Sequence, residues 1–298
     1  MGTPQFAVPT LKNLVNAGHE VVAVYTQPDR PKGRGQQLAL SPVKEEAARL
    51  GLPVHQPLRV RHQVEELRAF GADVMVVVGY GQIIPQAIID LPKHGIINVH
   101  ASLLPKYRGA APIQWALARG ETVTGVTTMR INAGLDTGDM LLKWQTTIGP
   151  EETAIDISPR LAENGAALLI ETLDKIESIQ SIRQNDADAT LAPILKKEDG
   201  LIDFSMDATE ILNRVRGFQP WPGVYTQLRG QRFHVWKGAL ASVAVPHGQL
   251  HLKQKRLYIG CGSGSTLELL EVQLEGRKRM PVPVFLNGFP LSENESLS

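Results

Sequence analysis

Asn98 and His100 stand two apart in the run Gly95-Ile96-Ile97-Asn98-Val99-His100. The β-branched residues favour a strand, and the two-residue period of a strand sends both polar side chains to one face. A strand tip meeting solvent is the plain account of such a pair. An amide donor beside an imidazole at the carboxyl end of a strand also suits chemistry, because open α/β sheets place their sites there. Asp136 sits in Gly134-Leu135-Asp136-Thr137-Gly138-Asp139-Met140, a glycine-bracketed acidic turn between two apolar runs. Gly and Asp are common turn residues, so this too has an ordinary explanation. An amide, an imidazole and a carboxylate brought together are nevertheless the groups that stabilise developing charge and move protons.

The elements that must position them follow from patterning. Val8 to Ala17 reads as an amphipathic helix stopped by Gly18, and Glu20 to Thr26 as a valine-rich strand. Pro28 to Ser41 reads as a polar loop carrying Arg30, Lys32 and Arg34. Ser41 and Pro42 open a helix that Gly51 closes. A helix over Arg61 to Phe70, a buried strand over Val74 to Val78 and a short helix after Pro85 lead to the Gly95 strand. A helix from Pro112 to Arg119 and strands at Gly125 to Ile131 and Met140 to Thr146 complete the pattern. Strands alternating with helices predict an α/β domain with a doubly wound, mainly parallel sheet over residues 1–182. Glu151 to Ile182 reads mainly as helix, although Pro159 interrupts its start, and the polar, aperiodic stretch 183–200 reads as a linker.

Residues 201–298 change character. A helix over Asp207 to Val215 precedes short strand-like runs at Val224 to Leu228, Arg232 to Ala239, Gln249 to Lys253, Leu257 to Cys261 and Thr266 to Leu274. Short strands punctuated by glycine predict a small β-barrel. The chain has 298 residues, a net charge of +1 and 43% hydrophobic content, as expected of a globular protein of two domains. Any nucleic-acid binding must therefore come from local patches. After position 200 there are 11 basic and 8 acidic residues, a mild surplus that permits tRNA binding without requiring it. Cys261 is the only cysteine, which rules out an internal disulfide and fits a reducing cytoplasm. The eight histidines are scattered, and no metal-ligand spacing is visible. No signal peptide or membrane-spanning run is apparent, so no membrane is expected.

Asn98, His100 and the Leu135-Asp136-Thr137-Gly138 motif, with Ser102-Leu103-Leu104-Pro105 between them, resemble the folate-dependent formyltransferases. The resemblance extends to Gly2-Thr3-Pro4-Gln5-Phe6-Ala7, Thr26-Gln27-Pro28-Asp29-Arg30-Pro31, Gly33-Arg34-Gly35, Ser41-Pro42-Val43-Lys44, Arg108-Gly109-Ala110-Ala111-Pro112-Ile113-Gln114 and Pro220-Trp221-Pro222. It covers nearly the whole chain and thins after about residue 240. It implies the branch of the family that moves a formyl group from 10-formyltetrahydrofolate, the donor substrate, to the amino group of methionine on initiator tRNA. It implies Asn98, His100 and Asp136 as catalytic, Ser102, Leu103, Leu104 and Pro105 as the folate side, and no metal. It also implies an OB-like barrel as the second, tRNA-binding domain, and a cytoplasmic monomer. Arg30, Lys32, Arg34 and Lys44 are then the tRNA contacts, with arginines on phosphate and glycines allowing close approach.

The chemistry of the residues agrees. Formyl transfer passes through a tetrahedral centre with negative charge on oxygen, which the Asn98 amide and His100 ring can face. Asp136 can relay the proton released by the attacking amine. Two other functions stay open: formyl transfer to a small amine, and a catalytically silent tRNA- or folate-binding protein.

Some positions depart from the family pattern. Gln36 and Gln37 replace frequent lysines, Gln219 stands where asparagine is common, Arg130-Ile131-Asn132-Ala133 replaces a more acidic approach to Asp136, and Ser158-Pro159 interrupts a helix. The Gly2-Thr3-Pro4 turn opens the chain without the strand that ordinarily precedes it. The expectation is that the neighbouring strands lose a ladder partner, that the chain as written is unstable or inactive, and that a short apolar strand belongs upstream.

Overall fold

A computed structural model of the chain describes residues 1–32, 37–292 and 297. They fall into two units: Met1–Pro112, Val123–Thr147 and Ser158–Pro193 form the first, and Ile113–Thr122, Ile148–Ile157 and Ile194–Ser298 the second.

The first unit begins with α1 (Val8–Asn16), with Pro9 in its first turn and Gly18 in the left-handed region beyond its end. β1 (Val24–Tyr25) is followed by the antiparallel pair β2 (Arg30–Lys32) and β3 (Gln37–Ala39). α2 (Pro42–Arg49) is capped as its sequence requires, with the Ser41 hydroxyl accepting from the Lys44 N–H at 3.1 Å. β4 (Val54–His55) pairs in parallel with β1. Then come α3 (Val64–Ala69), β5 (Met75–Val77), α4 (Gln86–Ile89), β6 (Ile96–His100), α5 (Pro112–Ala118), β7 (Val123–Arg130), β8 (Met140–Thr147) and α6 (Ala154–Asp174), which runs through Pro159. α5 lies almost wholly in the second unit.

The strand order β5-β6-β7-β8 forms one sheet. β5 and β6 are parallel, but β6–β7 and β7–β8 are antiparallel. The mainly parallel sheet expected from the sequence is therefore a mixed one. The Ile131–Asp139 connection is shorter than the dozen or so residues that a parallel crossover needs. Apolar layers cover both faces. Val8, Leu11, Val43, Ala47, Leu169 and Leu173 pack with Ile97 and Val99 on one side. Tyr25, Leu67, Tyr80 and Ile88 pack with Ile96 on the other. α6 lies close over β6: a Cβ added to Gly165 would sit 2.9 Å from the Val99 side chain.

The strand expected at Glu20–Thr26 shortens to the ladder at Val24–Tyr25. On its open side Gly2 bridges it toward Val78. Gly2 N–H donates to Tyr25 O at 2.9 Å, Val78 N–H donates to Met1 O at 2.9 Å, and Met1 N lies 2.7 Å from Val76 O. Beyond that bridge a cavity of about 540 Å³ separates Val21–Ala23 from Val74–Val76, lined also by Leu11, Leu67 and Leu173.

The second unit holds α7 (Ala208–Gly217), capped by Asp207, which accepts from the Thr209 N–H at 2.8 Å. β9 (Val224–Leu228), β10 (Gln231–Ala241), β11 (Leu250–Lys253), β12 (Arg256–Gly260), β13 (Thr266–Leu274) and β14 (Met280–Pro281) precede α8 (Val282–Gly288). They form one antiparallel sheet in the order β11-β12-β13-β10-β9, with β14 on β13. Phe233, Leu257, Ile259, Leu267, Leu269 and Phe285 are buried in its core. β10 is bulged between Val235 and Gly238, which bends the sheet. β9 and β11 are the ends of the path and do not pair with each other among the described residues. The closed barrel expected from the sequence is here an open, bent sheet. No described helix is long and apolar enough to cross a membrane.

Candidate active site

β6 carries Asn98 and His100: Asn98 is paired on both sides, with Val77 and Met129, and His100 on one, with Thr127. Both polar side chains are buried, Asn98 at 9% exposure and His100 at 5%. Buried polar groups need partners, and the partner they share is Asp136.

The Asp136 carboxylate is 3.5 Å from the Asn98 amide nitrogen and 3.7 Å from His100 Nδ1. Its Oδ2 also accepts from the Gly109 N–H at 2.9 Å. The turn holding it is sequence-encoded. Asn132 Oδ1 accepts from the Gly134 N–H and the Thr137 hydroxyl at 3.0 and 2.8 Å. A Cβ on Gly138 would lie 1.8 Å from Arg130 O, so only glycine fits there. Asp136 itself has φ of 50°, a left-handed conformation that aspartate tolerates better than most residues.

His100 Nε2 is 2.9 Å from Tyr107 O. A carbonyl only accepts, so Nε2 carries a hydrogen and Nδ1 is the nitrogen that faces Asp136. The three residues singled out from the sequence therefore converge on one carboxylate.

Ser102 to Pro105 leave β6 as a tight turn with a cis Leu104–Pro105 bond. The Ser102 hydroxyl donates to Lys106 O at 2.6 Å, Leu104 N–H donates to Thr127 Oγ1 at 3.2 Å, and Thr127 donates to Ser102 O at 2.7 Å. Leu104 is buried with Met129 and Met140. The side chains of Ser102 and Leu104 thus hold the turn, while Leu103 and Pro105 are half-buried. Lys143 Nζ donates to Leu104 O at 2.6 Å, and burial lowers its pKa from the usual lysine value.

The basic residues are on other elements. Arg30 is exposed at the start of β2, where Lys32 also lies, and Arg34 falls outside the described residues. Lys44 is engaged: its Nζ is 2.5 Å from Asp29 Oδ2 and 2.7 Å from Gln56 Oε1. The hydrogen bonds from Lys44 and then Gln56 hold the Asp29 carboxyl below the usual range.

Sequence reasoning missed Tyr107 and the stretch after Ile182, and it named Gly109 only as part of the resemblance, without a role. Tyr107 N–H donates to Thr190 Oγ1 at 2.9 Å, Arg108 N–H to Thr190 O at 2.8 Å, and Ala192 N–H to Arg108 O at 2.7 Å. Gln184 reaches the Asp136 turn itself. The glycine at 109 was the available signal: it has φ of 123°, and a Cβ there would lie 2.5 Å from Ala192 O. Among the described residues, no three His, Cys, Asp or Glu side chains are grouped as metal ligands.

A mixed α/β unit with an amide, an imidazole and a carboxylate at a strand end is the frame of a group-transfer enzyme. The formyl transferase pattern matches residues 1–173, the formyl transferase C-terminal domain matches residues 194–290, and the chain belongs to this family. Within it, similar relatives are named methionyl-tRNA formyltransferase. The protein of Koribacter versatilis is 58% identical over 97% of this chain and 94% of its own length. That of Solibacter usitatus is 60% identical over 100% and 97%. Among solved structures, the N-formyltransferase from Helicobacter canadensis, in complex with folinic acid and dTDP-3-aminofucose, shares the fold with a TM-score of 0.67. It is 18% identical, over 90% of this chain and 96% of that one.

Proposed function

We propose that this protein transfers the formyl group of 10-formyltetrahydrofolate to the amino group of methionyl initiator tRNA, in the cytoplasm, for translation initiation. Full-length identity of 58–60% to relatives of that name supports the substrates. The observation that carries the chemistry is the Asp136 carboxylate lying within 3.7 Å of both Asn98 and His100.

The amine nitrogen attacks the formyl carbon, and negative charge builds on the formyl oxygen. The Asn98 amide N–H and His100 are the groups on hand to stabilise it. The bond from the formyl carbon to the folate nitrogen then breaks; the amine loses one proton and the folate nitrogen gains one. Asp136 is the relay, held in place by Gly109 N–H. Because the amine is the nucleophile, no covalent intermediate with the protein is required. The turn Ser102, Leu103, Leu104 and Pro105 borders the folate, through its backbone and the half-buried Leu103 and Pro105. Arg30, Lys32, Arg34 and Lys44 contact tRNA phosphate, with Lys44 exchanging or sharing Asp29. The sheet of residues 201–298 serves as an OB-like tRNA-binding domain.

The test is incubation with 10-formyltetrahydrofolate and charged initiator tRNA, scored for formyl-methionine, with free methionine and a nucleotide-linked amino sugar as competing acceptors. Formylation of either competitor in preference to the charged tRNA, or of nothing at all, would overturn this function.

A further inference from the structure

We propose that Gln184, oriented by Arg108, is a positioning residue for formyl transfer, acting by fixing the backbone of the turn that carries Asp136. This rests on the reading of Asp136 as a reacting-site group.

Gln184 is 5% exposed, although the surrounding sequence is polar and aperiodic. Its Nε2 donates to Asp136 O at 2.7 Å and to Gly138 O at 2.7 Å. Its Oε1 accepts from Arg108 Nε at 2.9 Å. A guanidinium only donates, so the amide cannot flip: its oxygen must face Arg108 and its two N–H groups must face the turn. Arg108 is itself buried at 7%, with Nη2 at 2.8 Å from Asp186 Oδ1 and its backbone tied to Thr190 and Ala192.

The next residue, Gly109, donates to the Asp136 carboxylate, and the one before, Tyr107, accepts from His100. The contacts therefore close a circuit. Asp136 is held at its side chain by Gly109 and at its carbonyl by Gln184, and both holds run back to Arg108. A side chain that merely anchored residues 182–192 could use any acceptor. Gln184 uses the two carbonyls that bracket Thr137, spanning the turn in which Asp136 has φ of 50°. Without that span the carboxylate is free to leave the position between Asn98 and His100, and misplacement of about 1 Å can cost about 10² in rate.

The experiment is steady-state formylation by the full chain, with 10-formyltetrahydrofolate and charged initiator tRNA varied separately, alongside melting temperatures. Gln184→Leu is expected to lower kcat by about 10–100-fold, with KM for either substrate changed by less than about threefold. Gln184→Glu keeps the volume and the acceptor for Arg108 but loses both donors; it is expected to lose at least as much, and it serves if the leucine variant does not fold. In a double variant with Asp136→Asn, either change is expected to cost less than about twofold beyond Asp136→Asn alone, because both act through one group. A normal kcat in both Gln184 variants, or full additivity in the double variant, would overturn the positioning role. Failure of the unmodified chain to formylate, or full turnover by Asp136→Asn, would instead remove the function on which it rests.

Discussion

The two sides of the first unit are held in opposite ways. β6 has ladder partners on both edges, β5 along Ile96–Asn98 and β7 along Ile97–His100, and it carries Asn98 and His100. β1 has two ladder residues on β4 and, on its other edge, little more than the Gly2 contact, beside a cavity of about 540 Å³. The contrast teaches where accuracy resides. Asn98 and His100 stand on this interior strand, and Asp136 reaches them from the turn between β7 and β8. The half that holds the cavity carries none of Asn98, His100 and Asp136, and local stability is expected to be lowest there.

The largest effect that tests this contrast is catalytic. His100→Ala and Asp136→Ala are each expected to lower kcat by about 10²–10³ while leaving tRNA affinity near its original value. Single-turnover rates and filter binding measure the two quantities; near-normal turnover in the His100 variant would separate the paired strand from the chemistry, and in the Asp136 variant would remove the turn from it. Next, Leu11→Ala enlarges the void beside β1 and is expected to cost at least about 2 kcal/mol of stability. Urea titration reads the loss, and kcat at saturating substrates is expected to stay within about twofold. A parallel fall in kcat would mean that the two halves are mechanically one.

A smaller change lies at α2. Ser41→Ala removes the cap on Lys44 N–H and strands the Thr26 hydroxyl that shares it at 2.7 Å, for about 1 kcal/mol. The smallest is a pH effect. Asp29 is held below its ordinary 3.8 by Lys44 and then Gln56, and Glu46 below its ordinary 4.5 by Arg49. Carboxylates lowered in the folded state stabilise it fully above their unfolded values, and that contribution disappears as pH falls through the lowered folded values. Melting temperature is therefore expected to drop between about pH 5 and pH 2, and Lys44→Met is expected to flatten the drop by removing the Asp29 share. Superimposable pH curves for the two proteins would show that the ion pair contributes nothing.

Much of this was legible in the chain. Period two put Asn98 and His100 on one face, and Ser41, Gly18 and Gly51 marked helix ends that the structure confirms. β9 and β13 fall on Val224–Leu228 and Thr266–Leu274 as patterned. Strand direction was not legible, because alternation is the same in either sense; only the short Ile131–Asp139 link betrays the antiparallel return. Gln184 was hidden for another reason. Its burial comes from contacts with Asp136 and Arg108, 48 and 76 residues away, and no local pattern reports such contacts. Lys44 looked like a free cation because its carboxylate partner, Asp29, is 15 residues earlier.

The Tyr107 carbonyl has one more consequence. It turns the imidazole of His100 into a dead end rather than a conduit, since the hydrogen on Nε2 points at an oxygen that cannot keep it. Traffic in at one nitrogen and out at the other, the usual advantage of histidine in a proton wire, is closed. Any proton that reaches the ring arrives by Nδ1 and must depart by Nδ1, toward Asp136 or the reactants. In the proposed reaction, any proton exchange through this ring is therefore confined to its Nδ1 side.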